Sequence, residues 1–374
     1  MRDKYSDFIE QTFKLNPVLI VGSGISAGAG ISGMGKLATY LSENVNVEKL
    51  DAHEILIWDE IKSKLTNGMG LEEVLQNSGE AVSNTLLQEI IQHSWCCIST
   101  DEQKLLLDIS INIDPTGFVR YFSKFITSST KTLHIVTTNY DHLIEWSASK
   151  AGWKIWDGFN EGSIGYPLSV SKLNEQMNRT IRIGNGKTKS FNIITHPHLR
   201  IYKPHGSLSW FKIPNGDVIK VPGVGTHLVS FLERVQLTPT IVTPGTGKYL
   251  ETHMEPYYTV LSEMKQVLTG CKALLFLGFG FNDLHIQGSF EPLLRNDSIP
   301  KIILAMDLSN AAKALIEGTA IKNFIAVQKK GDYSEIISDK FESFILEESN
   351  HWTFIELLNQ AWGAESYAAT PRSI

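Results

Sequence analysis

Seven short apolar runs punctuate the chain: Val18–Val21, Leu133–Thr137, Leu199–Tyr202, Thr240–Val242, Ala273–Leu277, Ile302–Ala305 and Phe324–Val327. They are rich in β-branched residues and stop at turn-forming or polar residues, the pattern of strands buried on both faces. Between them lie segments whose apolar positions recur about one helical turn apart. In Pro256–Thr269, for example, Tyr258, Leu261, Met264 and Leu268 share one face. Buried strands alternating with helices predict an α/β fold, a Rossmann-like and mostly parallel sheet with helices on both faces.

Two stretches break this rhythm. From about Lys36 to Thr130 the patterns are helical (His53–Leu65, Leu71–Gln76, Ala81–His93, Glu102–Ile111) and no core strand is evident. That is far longer than an ordinary crossover and reads as an inserted helical subdomain. Residues Trp156–Thr195 are rich in Gly, Asn, Ser and Thr, and read as a flap that carries a hairpin. The expected division is therefore a Rossmann domain over residues 1–35 and 131–332, an insertion over 36–130, and a C-terminal helical tail over 333–374. One or two amphipathic helices are expected within Tyr333–Trp362, followed by a loose polar end after Gly363.

Composition narrows the class. With 42% hydrophobic and 20% charged residues among 374, the chain has the make-up of a soluble globular protein. A net charge of −6 argues against a protein that wraps its own surface around nucleic acid. Cys96, Cys97 and Cys271 are the three cysteines, too few for a disulfide framework and without the C-x-x-C pairs of a zinc ribbon. They read as free thiols in a reducing compartment. Met1–Lys14 has no signal-peptide core, and the apolar run Ala273–Phe279 is far below the ~20 residues that span a bilayer. A cytoplasmic location away from the membrane is expected.

Candidate chemistry gathers at strand ends. Val18–Val21 runs straight into Gly22-Ser23-Gly24-Ile25-Ser26-Ala27-Gly28-Ala29-Gly30. A strand followed by a glycine-rich turn and a helix lets backbone approach a pyrophosphate and offers N–H donors at the helix start. Gly22, Ser23, Gly24, Ser26 and Gly30 are thus candidate nucleotide contacts. The loop lacks the Gly-Lys-Ser/Thr ending of a P-loop, and Asp51, which falls in the insertion, is a poor ribose grip for a hydride-transfer enzyme.

Leu133–Thr137 delivers Thr138-Asn139-Tyr140-Asp141 to its carboxyl end, where open α/β sheets bind ligands. Asn139 and Asp141 can serve one site, or cap the helix expected over His142–Ala151. Leu199–Tyr202 leads to Lys203-Pro204-His205-Gly206, and His205, after a strand and before a glycine, is placed for proton transfer. Ala273–Leu277 leads to Gly278-Phe279-Gly280-Phe281-Asn282-Asp283, where Asn282 and Asp283 can hold ribose hydroxyls or cap the next helix. Asp307, at the end of Ile302–Ala305, can reach an adenosine ribose or cap as well.

Taken in order, these signals resemble the sirtuin fold, and more particularly the sirtuin-like domains of bacterial anti-phage defence systems. Gly22-Ser23-Gly24-Ile25-Ser26 with Gly30-Ile31 is similar to the family's GAG-x-S…GI loop, and Thr138-Asn139-Tyr140-Asp141 to its T-Q-N-x-D element. His205-Gly206 resembles the catalytic His-Gly, and Gly278-Phe279-Gly280-Phe281-Asn282-Asp283 the G-[YF]-S-x-x-D strand end of the defence branch. The resemblance spans about Asn16 to Asp307. It implies NAD as the ligand. Asn139 would orient the nicotinamide ribose and the attacking water, and His205 would act as general base on a ribose hydroxyl. Asp141 would hold ribose and His205, and Thr138, Gly278, Phe279 and Gly280 would line the cofactor cleft.

Two departures sharpen the expectation. The deacylases of the family carry a four-cysteine zinc ribbon, which this chain cannot supply, so no zinc is expected. The family's Pro-Asp-Phe-Arg after GI is here Ser32-Gly33-Met34-Gly35. Both favour water as acceptor, hence an NAD hydrolase that releases nicotinamide and ADP-ribose. The competing expectations are an NAD-dependent protein deacylase or ADP-ribosyltransferase, and a non-catalytic NAD or ADP-ribose sensor. The resemblance further implies a homo-oligomer, gating in an assembly, and a separately encoded HerA-type hexameric ATPase as partner.

Overall fold

Val18–Val21 is apolar throughout because both of its faces are covered. The computed structural model describes residues 1–78, 81–110, 114–183, 190–223, 234–242, 254–347 and 350–364. In chain order the strands are β1 (Val18–Val21), β2 (Thr132–Thr137), β3 (Lys154–Trp156), β4 (Asn178–Ile183), β5 (Ser190–Thr195), β6 (His198–Tyr202) and β7 (Gly206–Lys212). They continue with β8 (Val218–Lys220), β9 (Thr238–Ile241), β10 (Leu274–Leu277), β11 (Lys301–Ala305), β12 (Phe324–Lys330), β13 (Tyr333–Ser338) and β14 (Phe344–Leu346). The main helices are α1 (Arg2–Lys14), α2 (Ser23–Gly28), α3 (Met34–Asn44), α4 (Ala52–Thr66), α5 (Leu71–Ser78), α6 (Asn84–Ser110) and α7 (Phe118–Ile126). After these come α8 (Leu143–Lys150), α9 (Val170–Met177), α10 (Tyr257–Thr269), α11 (Leu284–Arg295), α12 (Asn310–Glu317) and α13 (Phe354–Trp362).

The central sheet has nine strands in the order β14-β13-β12-β11-β10-β1-β2-β6-β3. From β12 to β3 every neighbouring pair is parallel, and β13 and β14 add an antiparallel edge. Alternate residues of β1 enter two separate cores. Leu19 and Val21 pack with the insertion helices, α1 and α13, while Val18 and Ile20 pack with α10, α11 and α12. The sheet is therefore the middle of three layers, as the apolar runs required. Strand order reverses at β1, which lies between β10 and β2, so the turns after β1, β2 and β10 meet at the carboxyl edge. This is where open α/β sheets form a ligand crevice.

Residues 34–126 hold five helices, α3 to α7, and no strand among the described residues. The separate patterns Ala81–His93 and Glu102–Ile111 fall, from Asn84 on, in one continuous helix, α6; Ile111 lies outside the described residues. The stretch 156–195 contains α9 and the β4–β5 hairpin.

Two sequence expectations need correction, and one strand was not anticipated. Thr240–Val242 is not a core strand of the parallel sheet: β9 pairs antiparallel with β7 in a separate three-stranded sheet with β8. Lys154–Trp156, too short and too mixed to read as a strand, forms the sheet edge beside β6. The stretch from Tyr333 is not helical at its start. β13 and β14 extend the sheet past β12, and only α13 is a helix there. In β13 the buried positions are Ser334 and Ile336, a two-residue period that a helical reading of the mixed polar segment misses. Among the described residues, no helix is long and apolar enough to cross a membrane.

The C-terminal helix is part of the core. Phe354 is 1% exposed and lies 5.3 Å from Phe118 and 5.6 Å from Tyr121, ring centre to ring centre. Arg120, buried on α7, donates to Asn359 and, at 2.5 Å, to the carbonyl of Gly363. Phe354→Ala is accordingly expected to destabilise the protein by about 3–5 kcal/mol, measured as a lowered urea midpoint with unchanged slope.

Candidate functional site

Three glycines build the floor of the site. A Cβ on Gly22 would lie 2.5 Å from the carbonyl oxygen of Gly278, and one on Gly24 2.9 Å from the same atom. Gly278 has φ +56°, and its own Cβ would meet Ile25 N at 2.5 Å. The turns after β1 and β10 thus touch backbone to backbone, sealed by Gly24 N donating to Gly278 O at 3.0 Å. These glycines are required by loop-to-loop packing.

On this floor stands Asn139. Its Nδ2 donates to Gly22 O at 3.0 Å and to Ser26 Oγ at 2.8 Å. Ser26 Oγ in turn donates to Asp141 Oδ2 at 2.8 Å, while Asp141 Oδ1 accepts from the backbone N of Leu143, the first residue of α8, at 3.2 Å. Ser26 is therefore the link between the two polar residues of the turn after β2. With its amide nitrogen fully engaged, Asn139 leaves Oδ1 buried with no hydrogen-bond partner among the described residues. Such an orphaned acceptor on a cavity wall is costly unless a ligand group can reach it.

His205 enters from the turn between β6 and β7. Gly206 has φ +82°, and a Cβ there would lie 2.3 Å from the carbonyl oxygen of Thr240 on β9, so only glycine lets β9 pass. His205 O accepts from Val242 N at 2.9 Å, which fixes the backbone below the imidazole. The ring's Nε2 lies 2.7 Å from Asp283 Oδ2, an ion-pair distance when the ring is protonated, without hydrogen-bond alignment. Asp283, expected to hold ribose or cap a helix, is thus the carboxylate beside His205, and Asp141 is engaged elsewhere.

A cavity of about 120 Å³ is lined by Gly22, Ser23, Ser26, Thr138, Asn139 and Asp141, together with His205, Phe279, Gly280, Asn282 and Asp283. Ser32 and Met34 from the segment after Gly30, and Ile98 from α6, complete it. Sequence reasoning missed these, because neither spacing nor residue type marks them. A second cavity of about 620 Å³ shares the wall of Phe279 and Gly280. It takes in Gly24, Gly278 and Asp307, together with Trp352 and the first turn of α13. Asp307 is mostly exposed and pairs with Lys313 at 3.0 Å. Gly30, with φ +106°, is exposed and lines neither cavity.

Behind the turn after β2 lies a buried charged cluster. Lys203, fully buried, pairs with Glu145 at 2.6 Å and donates to Asp141 O at 2.5 Å. Burial pushes the Asp141 carboxyl above its ordinary value; Lys203 opposes the rise, and Glu102 and Glu145 add to it. Burial acts to lower the pKa of His142, but Glu102, 2.7 Å from its Nδ1, outweighs that and raises it.

Comparison with known proteins now bears on this arrangement. A family model described as "SIR2-like domain" matches residues 133–320, half of the chain. The chain belongs to the SIR2-like domain family. Comparison with curated proteins found no match. Among solved structures, a Sir2 homolog–NAD complex is 13% identical, with 87% of this chain and 88% of that one covered and a TM-score of 0.41. A mutant Sir2 homologue in complex with 2'-O-acetyl ADP ribose is 13% identical over 87% and 90%, with a TM-score of 0.43. Sir2Tm bound to a propionylated peptide is 11% identical over 85% and 98%, with a TM-score of 0.39. Overlaps this loose say nothing of what this chain binds. The matched span of the SIR2-like domain contains Asn139, Asp141, His205 and Asp283, but not the glycine turn to which Asn139 is bonded.

The raised pKa of Asp141 makes a signed prediction. A carboxyl whose folded pKa exceeds its unfolded one binds protons more tightly when folded, so its contribution to stability falls as pH rises between the two values. Asp141→Asn removes that dependence. The unfolding free energy of the variant, relative to wild type, is expected to improve as pH is raised above the ordinary carboxylate range, measured by urea titrations at a series of pH values. A difference that stays flat with pH would contradict the shift.

Proposed function

We propose that this SIR2-like domain binds NAD at the carboxyl edge of its sheet and hydrolyses the nicotinamide–ribose bond. The observation that carries the reading is what lines the smaller cavity. Asn139 contributes a buried, unpartnered acceptor, and His205 with Asp283 contributes an imidazole beside a carboxylate. The nicotinamide and its ribose would occupy this cavity. Adenosine would lie in the larger one, with the dinucleotide passing the shared wall of Phe279 and Gly280.

Cleavage breaks the bond between ribose C1' and the pyridinium nitrogen, and the bonding electrons leave with neutral nicotinamide. The ribosyl centre that remains is electron-poor and takes up the oxygen of water, whose proton is lost to the site. Asn139 Oδ1 is suited to orient a ribose hydroxyl or that water, being fixed by two hydrogen bonds through its own amide. His205, steadied by its backbone and facing Asp283, is suited to take a proton from a ribose hydroxyl. Asp141 supports the turn through Ser26 and Leu143.

The absence of a four-cysteine set in the sequence favours water over an acylated lysine as acceptor. NAD depletion in anti-phage defence, self-assembly and a HerA-type ATPase partner follow from the resemblance at the motifs, and complete the proposal as the setting in which a cell tolerates such an activity.

Mass spectrometry of products from purified protein and NAD tests the reading. Wild type is expected to yield ADP-ribose and nicotinamide, and Asn139→Ala and His205→Ala to lower the rate by at least about a hundredfold. Nicotinamide release that strictly requires an acylated peptide would identify a deacylase instead. Binding of ADP-ribose without any turnover, alone or in the assembled state, would identify a sensor.

A further inference from the structure

One turn of α6 is bonded to two segments that run into the lining of the smaller cavity, at Ser32 and just after Asn139–Asp141. Asp101 Oδ2 accepts from the backbone N of Ser32 at 3.1 Å and from Ser32 Oγ at 2.5 Å. Its other oxygen takes Lys104 at 3.0 Å. Ser32 lines the cavity, in the segment where the family's Pro-Asp-Phe-Arg is replaced. The next residue, Glu102, accepts from the backbone N of His142 at 2.6 Å and faces His142 Nδ1 at 2.7 Å. His142 directly follows Asp141, and its Nε2 lies 2.9 Å from Ser209 Oγ and 3.1 Å from Ser207 Oγ on β7. Ile98, one turn earlier on α6, lies on the cavity wall itself.

We infer that Asp101 and Glu102 are positioning residues of the site, through which the helical insertion holds the substrate cleft in shape. Asp101 sets the segment after the glycine turn, and hence the grip on substrate. Glu102 sets the turn Asn139–His142, and hence the alignment of the group that meets the reacting ribose. This rests on the NAD reading above. The carboxylates fit the task because each engages a backbone N–H and a side chain of the same partner residue, which fixes both its position and its orientation. Both bridges span long sequence separations, 69 residues from Asp101 to Ser32 and 40 from Glu102 to His142, so they tie the insertion to the sheet. They also come from adjacent residues on a single helix, so any displacement of that turn moves both segments together.

The two roles separate in steady-state kinetics. Asp101→Ala is expected to raise KM for NAD, and Kd for ADP-ribose, about tenfold with kcat within about twofold, the loss fitting one or two charge-assisted hydrogen bonds. Asp101→Asn keeps an acceptor for Ser32 and is expected to stay within about threefold of wild type. Glu102→Ala is expected to lower kcat about tenfold with ADP-ribose affinity within about threefold, and Glu102→Gln to recover most of that loss. Wild-type constants in both alanine variants would overturn the inference. So would losses that merely track a lowered unfolding midpoint and are not rescued by the amides. If wild type binds ADP-ribose but releases no nicotinamide, the hydrolase reading fails by itself. The clamp is then judged on binding alone: about tenfold weaker ADP-ribose affinity in Asp101→Ala, but not in Asp101→Asn, upholds it, and unchanged affinity overturns it. A wild type that binds neither NAD nor ADP-ribose overturns the NAD reading and the clamp with it.

Discussion

Gly22, Gly24 and Gly278 bring two turns of the sheet into backbone contact, and Asn139 and Asp283 are placed relative to that contact. The closest would-be Cβ distances, 2.5 to 2.9 Å, are to backbone atoms that no side-chain rearrangement can move away. Gly22 supplies the carbonyl that holds Asn139, and Gly278 opens the segment that runs through Phe279 and Phe281 to Asp283. The two phenyl rings, 5.1 Å apart, pack with Phe276 and Phe290 in the lower core, which anchors that segment. Separating the turns by one methyl group would therefore shift Asn139 and Asp283 with respect to each other. The glycines would act on a ligand indirectly, by fixing the spacing of Asn139 and Asp283.

Behind Asn139, the protein places four buried ionisable side chains, Glu102, Asp141, Glu145 and Lys203, around the half-buried His142. Desolvating so many groups is expensive, and removing one partner of such a set leaves the others uncompensated. The cluster draws on the backbone for compensation. Lys203 donates to the carbonyl of Asp141, Glu102 accepts from the N–H of His142, and Asp141 accepts from that of Leu143. Three charged groups from three elements thus bond to the main chain over Asp141–Leu143. Such a turn resists adjustment, which would suit the proposed role of Asn139, an amide held in one orientation before a substrate arrives.

How much of this was legible in the sequence depended on whether a residue's role was local. The parallel strands read clearly because burial on both faces leaves an unbroken apolar run, and their polar ends follow in the chain. That singled out Asn139, His205 and Asp283 as members of one region. Partnership was not legible. Nothing in sequence order indicates that Asp283 and not Asp141 lies beside His205, or that Ser26 joins Asn139 to Asp141, since these pairs meet only when the sheet assembles. β7 escaped notice for a related reason. Its Gly206-Ser207-Leu208-Ser209 start looks like a polar loop, yet all four residues are buried, and both serine hydroxyls are within hydrogen-bonding distance of His142 Nε2. β13 and β14 were hidden because edge strands are short and half-polar, and a segment of that kind satisfies a helical period as readily as an extended one.

The division of labour along the chain follows from the same geometry. The span shared with the SIR2-like family supplies Asn139, His205 and Asp283, the groups that would meet the reacting ribose. The surfaces that enclose a ligand come in large part from outside it. Ser32, Met34 and Ile98 close the smaller cavity, and Trp352 with the start of α13 closes the larger. Those enclosing segments are tied into the body of the protein by specific bonds, Asp101 to Ser32 on one side and Arg120 to Asn359 on the other. Chemistry and enclosure would therefore rest on different parts of the sequence, joined through one shared hydrophobic core and these bonds. In the proposed reaction a substitution at Asn139 would remove a reacting group, whereas one at Asp101 would leave those groups in place and change the segment that encloses what they act on.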